Sequence, residues 1–137
     1  MDNRARSTAQ LYALVVGAVL VIVGILGFFV STAFGTPGKT GPLLGLFDVN
    51  GWHNLVHIAS GALLLAVAGR ADTARTVVLA FGAVYVLVFI LGLVMNPILG
   101  IIPVNGADNI LHLLLALSAI GAGLASRDDR GAATARA

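Results

Sequence analysis

Val49-Asn50-Gly51-Trp52-His53-Asn54-Leu55-Val56-His57 recurs as Val104-Asn105-Gly106-Ala107-Asp108-Asn109-Ile110-Leu111-His112, 55 positions later, in a chain otherwise almost without polar residues. A polar nine-residue match of this kind marks a duplication. Each copy opens an apolar segment, so the side chains able to do chemistry stand twice, at the same depth, on two equivalent helices.

Working outward, the 137-residue chain is 58% hydrophobic and 10% charged, which no ordinary soluble surface tolerates. Its solvent is lipid. Four stretches are long enough to span a bilayer, roughly Gln10 to Val30, Gly51 to Gly69, Thr76 to Met95 and Gly106 to Ala125; at 1.5 Å per residue each reaches about 30 Å, the thickness of a hydrocarbon core.

Charge gives the orientation. Arg4 and Arg6 precede the first segment, Arg70 and Arg75 join the second to the third, and Arg127, Arg130 and Arg136 follow the fourth, whereas the other two loops hold only Lys39. The positive-inside rule therefore puts both termini in the cytoplasm of a plasma-membrane protein, with both polar motifs facing outward. Basic residues this few and scattered form no nucleic-acid face. The absence of cysteine excludes disulfides, thiolate metal sites and cysteine nucleophiles. Arg4, Arg6 and the run before Ser31-Thr32-Ala33 have the outline of a signal peptide, but Leu11 to Val30 exceeds the roughly 7 to 15 residues of a signal core and has a counterpart inside the chain.

That counterpart is the third segment: Gly17-Ala18-Val19 aligns with Gly82-Ala83-Val84, and Ile25-Leu26-Gly27 with Ile90-Leu91-Gly92, at an offset of 65. The offset falls to 55 because the loop Ser31 to Asp48 has 18 residues where Asn96 to Pro103 has eight. The expected fold is all-α: one domain, residues 1–125, a four-transmembrane-helix bundle made of two tandem two-helix hairpins (about 9–69 and 74–125) related by a pseudo-two-fold axis along the membrane normal. Residues 126–137 read as a polar, disordered cytoplasmic tail. Gly35, Pro37, Gly38, Gly41, Pro42 and Gly45 deny the longer loop regular structure until Leu43 to Phe47 return it toward the interface; it serves as a lid over the site or as a slack connector. Gly69 to Arg75 reads as a short turn.

In each motif the polar residues fall at relative positions 0, 3, 4 and 7, one face of a helix. Unmet hydrogen bonds are costly against lipid, so both stripes should point inward and face one another. Below them Ser60, Gly61, Ala68, Ala116, Ala119 and Gly123 permit close approach, which makes the second and fourth helices the expected central pair. His57 then lies near His112, and His53 contacts Asp108.

Several functions fit this stripe. Asn50 and Asn105 cap the helix starts and, with Asn54 and Asn109, form a structural polar network joining the hairpins. His53, His57, Asp108 and His112, at i and i+4 on two helices, form a candidate transition-metal site for zinc, copper or iron. Haem between His57 and His112 is a further possibility, opposed by the small residues nearby. A proton or solute path lacks charged groups deep in any segment. Trp52 anchors its helix at the interface. No phosphate-binding loop, nucleophile elbow or zinc-protease motif is present.

With Phe47 to His57 and Ala107 to His112 in view, the chain resembles, from about Ala9 to Ala125, a bacterial, largely actinobacterial family of integral membrane proteins catalogued as domain of unknown function 4383. The resemblance implies a four-helix membrane protein and brings no reaction, substrate or cofactor. The primary expectation is a small non-enzymatic scaffold or accessory subunit in the lipid bilayer, partnered by another membrane protein or by copies of itself. The competing expectation is a metal- or haem-binding redox protein using the same cluster.

Overall fold

The computed structural model describes residues 5–35 and 40–134, with side chains as far as Ser126. Four helices, α1 (Thr8–Val30), α2 (Gly51–Val67), α3 (Ala71–Val94) and α4 (Gly106–Thr134), are joined by two short antiparallel strands, β1 (Gly41–Leu43) and β2 (Phe47–Val49), between α1 and α2. α1, α3 and α4 over Gly106–Ser126 are long and apolar enough to cross a membrane, while α2 is a shorter apolar helix of 17 residues.

Local chemistry fixes the helix ends. Ser7 and Gln10 form a capping box at the start of α1, and the Gln10 amide also donates to the Ala68 carbonyl at the end of α2, 3.1 Å away. The Ser126 hydroxyl accepts the otherwise unused Ala9 N–H at 2.8 Å and donates to Ala122. Two features differ from the sequence reading. The link between α2 and α3 is shorter than expected, because α3 already begins at Ala71 and carries Arg75, whose Nε donates to the Gly123 carbonyl at 3.1 Å. The α4 backbone also continues past the expected end at Ala125, through residues expected to be disordered, as far as Thr134. The buried Ser126 anchor and the helix propensity of Ala and Arg account for this extension.

The interior is built from small residues and the exterior from large ones. The buried stripe of α1 is Ala9, Gln10, Ala13, Gly17, Leu20, Gly24 and Gly27, whereas Val15, Val19, Ile22, Leu26, Val84, Leu87, Ile90, Leu114 and Leu117 are exposed. In a bilayer, lipid would solvate such a surface at no cost, and association would draw on close backbone approach. A Cβ on Gly61 would stand 2.7 Å from the Gly17 carbonyl oxygen, and one on Gly82 would stand 3.1 Å from the Ala116 oxygen.

These contacts correct the expected helix order. Gly61 packs on α1, and Ala116, Ala119 and Gly123 pack on α3, so the small residues close each hairpin rather than joining α2 to α4. α1 lies against all three other helices. A small-residue face admits one close neighbour, and in both hairpins the glycines of the preceding helix occupy it.

The longer loop is not slack throughout. β1 and β2 pair Gly41 with Val49, Pro42 with Asp48 and Leu43 with Phe47. The turn between them holds Leu44 and Gly45 in the left-handed region, at φ 56° and 69°. Leu99 and Gly100 adopt the same conformation, at 51° and 75°, beside a bridge from Ile98 to Ile102. Pro42-Leu43-Leu44-Gly45 thus matches Pro97-Ile98-Leu99-Gly100, again 55 positions apart. The repeat therefore starts upstream of the nine-residue motif, and the length difference between the loops falls before Gly41.

Candidate metal centre

The site is assembled from the two helix starts and the two turns that precede them. Asn50 caps α2, its Oδ1 accepting the His53 N–H at 2.9 Å; the Asn105 Oδ1 accepts the Asp108 N–H at 3.0 Å. Each amide nitrogen then crosses to the other half. Asn50 Nδ2 donates to the Ile101 carbonyl at 2.7 Å, and Asn105 Nδ2 donates to the Leu46 carbonyl at 2.8 Å. Leu46 and Ile101 hold equivalent places in the repeat, so the two bonds are the same contact made twice.

His53 and Asp108, the pair at which the copies differ most, both engage Asp48. The Asp108 carboxylate accepts two backbone N–H groups through Oδ2, from Asn105 at 2.8 Å and from Asp48 at 3.1 Å. His53 Nδ1 lies 2.9 Å from the Asp48 carbonyl oxygen. Asp108 is buried, as the facing-stripe reading requires; it interacts electrostatically with His53, as expected from sequence, and both residues hydrogen-bond the backbone of Asp48. Because a carbonyl only accepts, Nδ1 of His53 carries the proton in that bond, and in a neutral ring Nε2 is left with a lone pair, the Pro103 carbonyl also acting on the ring.

That lone pair has company. Ligand nitrogens of His53, His57 and His112 all lie within 4.8 Å of one another, and the three residues are buried. His53 and His57 stack edge to face with centroids 4.6 Å apart, and His53 and His112 are 6.0 Å apart. His53 Nε2, both ring nitrogens of His57 and His112 Nδ1 have no hydrogen-bond partner among the described residues. Leaving one buried polar atom unmet costs about 1–3 kcal/mol, a cost that a bound ion or an ordered water in the cluster would remove. Asp108 stands outside the converging group, its carboxylate holding the capping box and the strand.

The other stripe residues serve packing. Asn54 fits against Gly27, where a Cβ would collide with its Oδ1, and its Nδ2 donates to the Ser31 carbonyl at 2.9 Å. Asn109 fits against Gly92 in the same way. Trp52 Nε1 donates to the Phe34 carbonyl at 2.9 Å, and its ring meets Phe34 edge to face. Tyr85, which the stripe did not include, sets its ring against His112 with centroids 5.7 Å apart and its hydroxyl 3.2 Å from that of Ser60.

A cavity of about 60 Å³ adjoins the histidines. Val23 of α1, Leu43, Phe47 and Val49 of the strands and Leu111 of α4 line it, with His57, His112 and Asp108 as its polar residues. Space on this scale suits an ion and a small ligand. A porphyrin needs the several hundred cubic ångströms of a typical cofactor pocket, well above the volume of this cavity.

Comparison with known proteins finds one family, described as a domain of unknown function (DUF4383), whose model matches residues 10–125. No curated protein and no solved structure matches the chain.

Proposed function

Because the chain belongs to the DUF4383 family, whose description carries no activity, we propose a function from its own residues: a small membrane protein that holds one transition-metal ion, zinc or copper, on His53, His57 and His112. The observation behind this reading is the cluster of four unmet imidazole nitrogens on three converging rings. Metal–imidazole bonds of about 2.0–2.1 Å put ligand atoms roughly 3.4 Å apart in a tetrahedral site, so modest ring rotation closes the set. The Asp48 carbonyl behind His53 is the outer partner that metal-bound histidines use to fix their tautomer. Asp108 acts as a strut for the site and not as a ligand.

The proposal includes the finer architecture. The crossed asparagine bonds, the paired left-handed turns and the matching Gly27–Asn54 and Gly92–Asn109 fits support two hairpins related by a pseudo-two-fold axis along the membrane normal. All four helices cross the plasma membrane. At about 1.5 Å per residue α2 spans about 25 Å, and the β1–β2 hairpin completes its crossing at the interface. Both termini are cytoplasmic, and the metal centre opens outward.

Metal analysis of detergent-purified protein tests the reading. Stoichiometric zinc or copper in wild type, lost in His57→Ala with the fold retained, is the expected result; a metal-free wild type that takes up neither ion on addition refutes it. The crossed asparagine bonds also favour a second reading, in which the polar cluster only joins the hairpins of a scaffold or accessory subunit. Under that reading His57→Leu weakens hairpin association by about 1–2 kcal/mol, and a partner protein copurifies.

A further inference from the structure

We propose that the three-histidine site selects the monovalent cuprous ion, Cu(I), over divalent zinc and cupric ions. This rests on the metal reading and names the ion and its charge. Donor number comes first. Among the described residues His53, His57 and His112 converge with one ligand nitrogen each, and His53 Nε2, both nitrogens of His57 and His112 Nδ1 are buried. The other kinds of donor are engaged elsewhere or missing: the chain has no cysteine, Met95 Sδ accepts the Leu99 N–H, and Asp108 Oδ2 accepts two backbone N–H groups. Three nitrogens in a plane satisfy Cu(I), whose closed shell imposes no further ligand. Bonds of about 2.0 Å at about 120° need nitrogens roughly 3.5 Å apart, within reach of atoms that already lie within 4.8 Å of one another.

The divalent ions need more than the site supplies. Zinc on three histidines completes its four ligands with water, and Cu(II) takes a tetragonal set. A buried water needs roughly two to four polar partners, whereas the wall of the adjoining cavity is almost wholly carbon. Charge acts in the same direction. Neutral imidazoles cancel none of an ion's charge, and the cost of burying that charge grows with its square. Asp108 is buried and acts on His53 electrostatically, so Cu(I) leaves the interior neutral where a divalent ion leaves one positive charge over. Asp48 acts on His53 as well, but it is only half-buried and is screened by solvent.

The full-length protein in detergent, stripped of metal by a chelator, is titrated under argon with Cu(I) in competition with bicinchoninate, and separately with Zn(II) and Cu(II). One Cu(I) per chain is expected, bound at least about a hundredfold more tightly than Zn(II) and at least about tenfold more tightly than Cu(II). X-ray absorption should show three nitrogen neighbours, and the copper should stay silent in electron paramagnetic resonance after exposure to air. His112→Asp, which puts an anionic donor in the set, should narrow the preference over Zn(II) by at least about tenfold; if it misfolds, the wild-type affinities and coordination number decide. Zn(II) or Cu(II) held by the three histidines as tightly as Cu(I), a four-coordinate copper, or a folded His112→Asp with unaltered preference overturns the inference. Binding of none of the three ions, or binding that His57→Ala leaves unchanged, overturns instead the metal reading beneath it.

Discussion

An imidazole whose Nδ1–H is given to a carbonyl has only one nitrogen left to offer, and in His53 that nitrogen is buried beside two more rings. The residue whose carbonyl meets His53 gives its N–H to Asp108, so His53 and Asp108, at one equivalent place in the repeat, are linked through Asp48 as well as by charge. Asp108→Asn should therefore lower stability by about 1–2 kcal/mol while leaving metal content close to wild type; loss of the ion with an intact fold would make Asp108 a ligand after all. Chemical unfolding and metal analysis on the same preparation separate these outcomes. The capping asparagines and the inward stripe were readable from residue type and spacing. The partners of His53 and Asp108 were not, because a backbone carbonyl and a backbone N–H belong to every residue and carry no sequence signal.

At the scale of elements, each hairpin is closed by an asparagine set against a glycine. Gly27→Ala and Gly92→Ala each place a Cβ on an asparagine amide, and both should cost about 1–3 kcal/mol, read as matching losses of thermal stability in detergent. Unequal losses would show that the two hairpins do not share one packing rule. Leu44 pays for its left-handed backbone with strain of about 1–2 kcal/mol, so Leu44→Gly should stabilise the turn by up to about 1 kcal/mol in the same assay. Four apolar helices could be read from sequence because apolar length and turn residues mark them. Which helices the small residues join could not, since a helical face of Gly and Ala states that something comes close without naming it. The β1–β2 turn escaped notice because its match to Pro97-Ile98-Leu99-Gly100 lies among apolar residues, where resemblance carries little weight.

For the whole molecule, composition alone identified lipid as the solvent, and the large exposed side chains over a small-residue interior agree with it. The proposed orientation is open to direct test because the chain contains no cysteine. Leu44→Cys should react with a membrane-impermeant maleimide on intact cells, and Thr73→Cys only after lysis; the reverse pattern would invert the topology. Excess metal should also raise the stability of the entire fold, by about 2.7 kcal/mol at a free concentration one hundred times its Kd, with no such gain in His57→Ala.

The crossed bonds from Asn50 and Asn105 speak to ancestry. On the proposed duplication, a single unit leaves one amide and one turn carbonyl without a partner, so a half-length forebear would have needed a second copy of itself, with one residue type at the two places now held by His53 and Asp108. Fusing the genes released that constraint. One place now carries an imidazole and the other a carboxylate brace, an asymmetry that two identical chains could not hold.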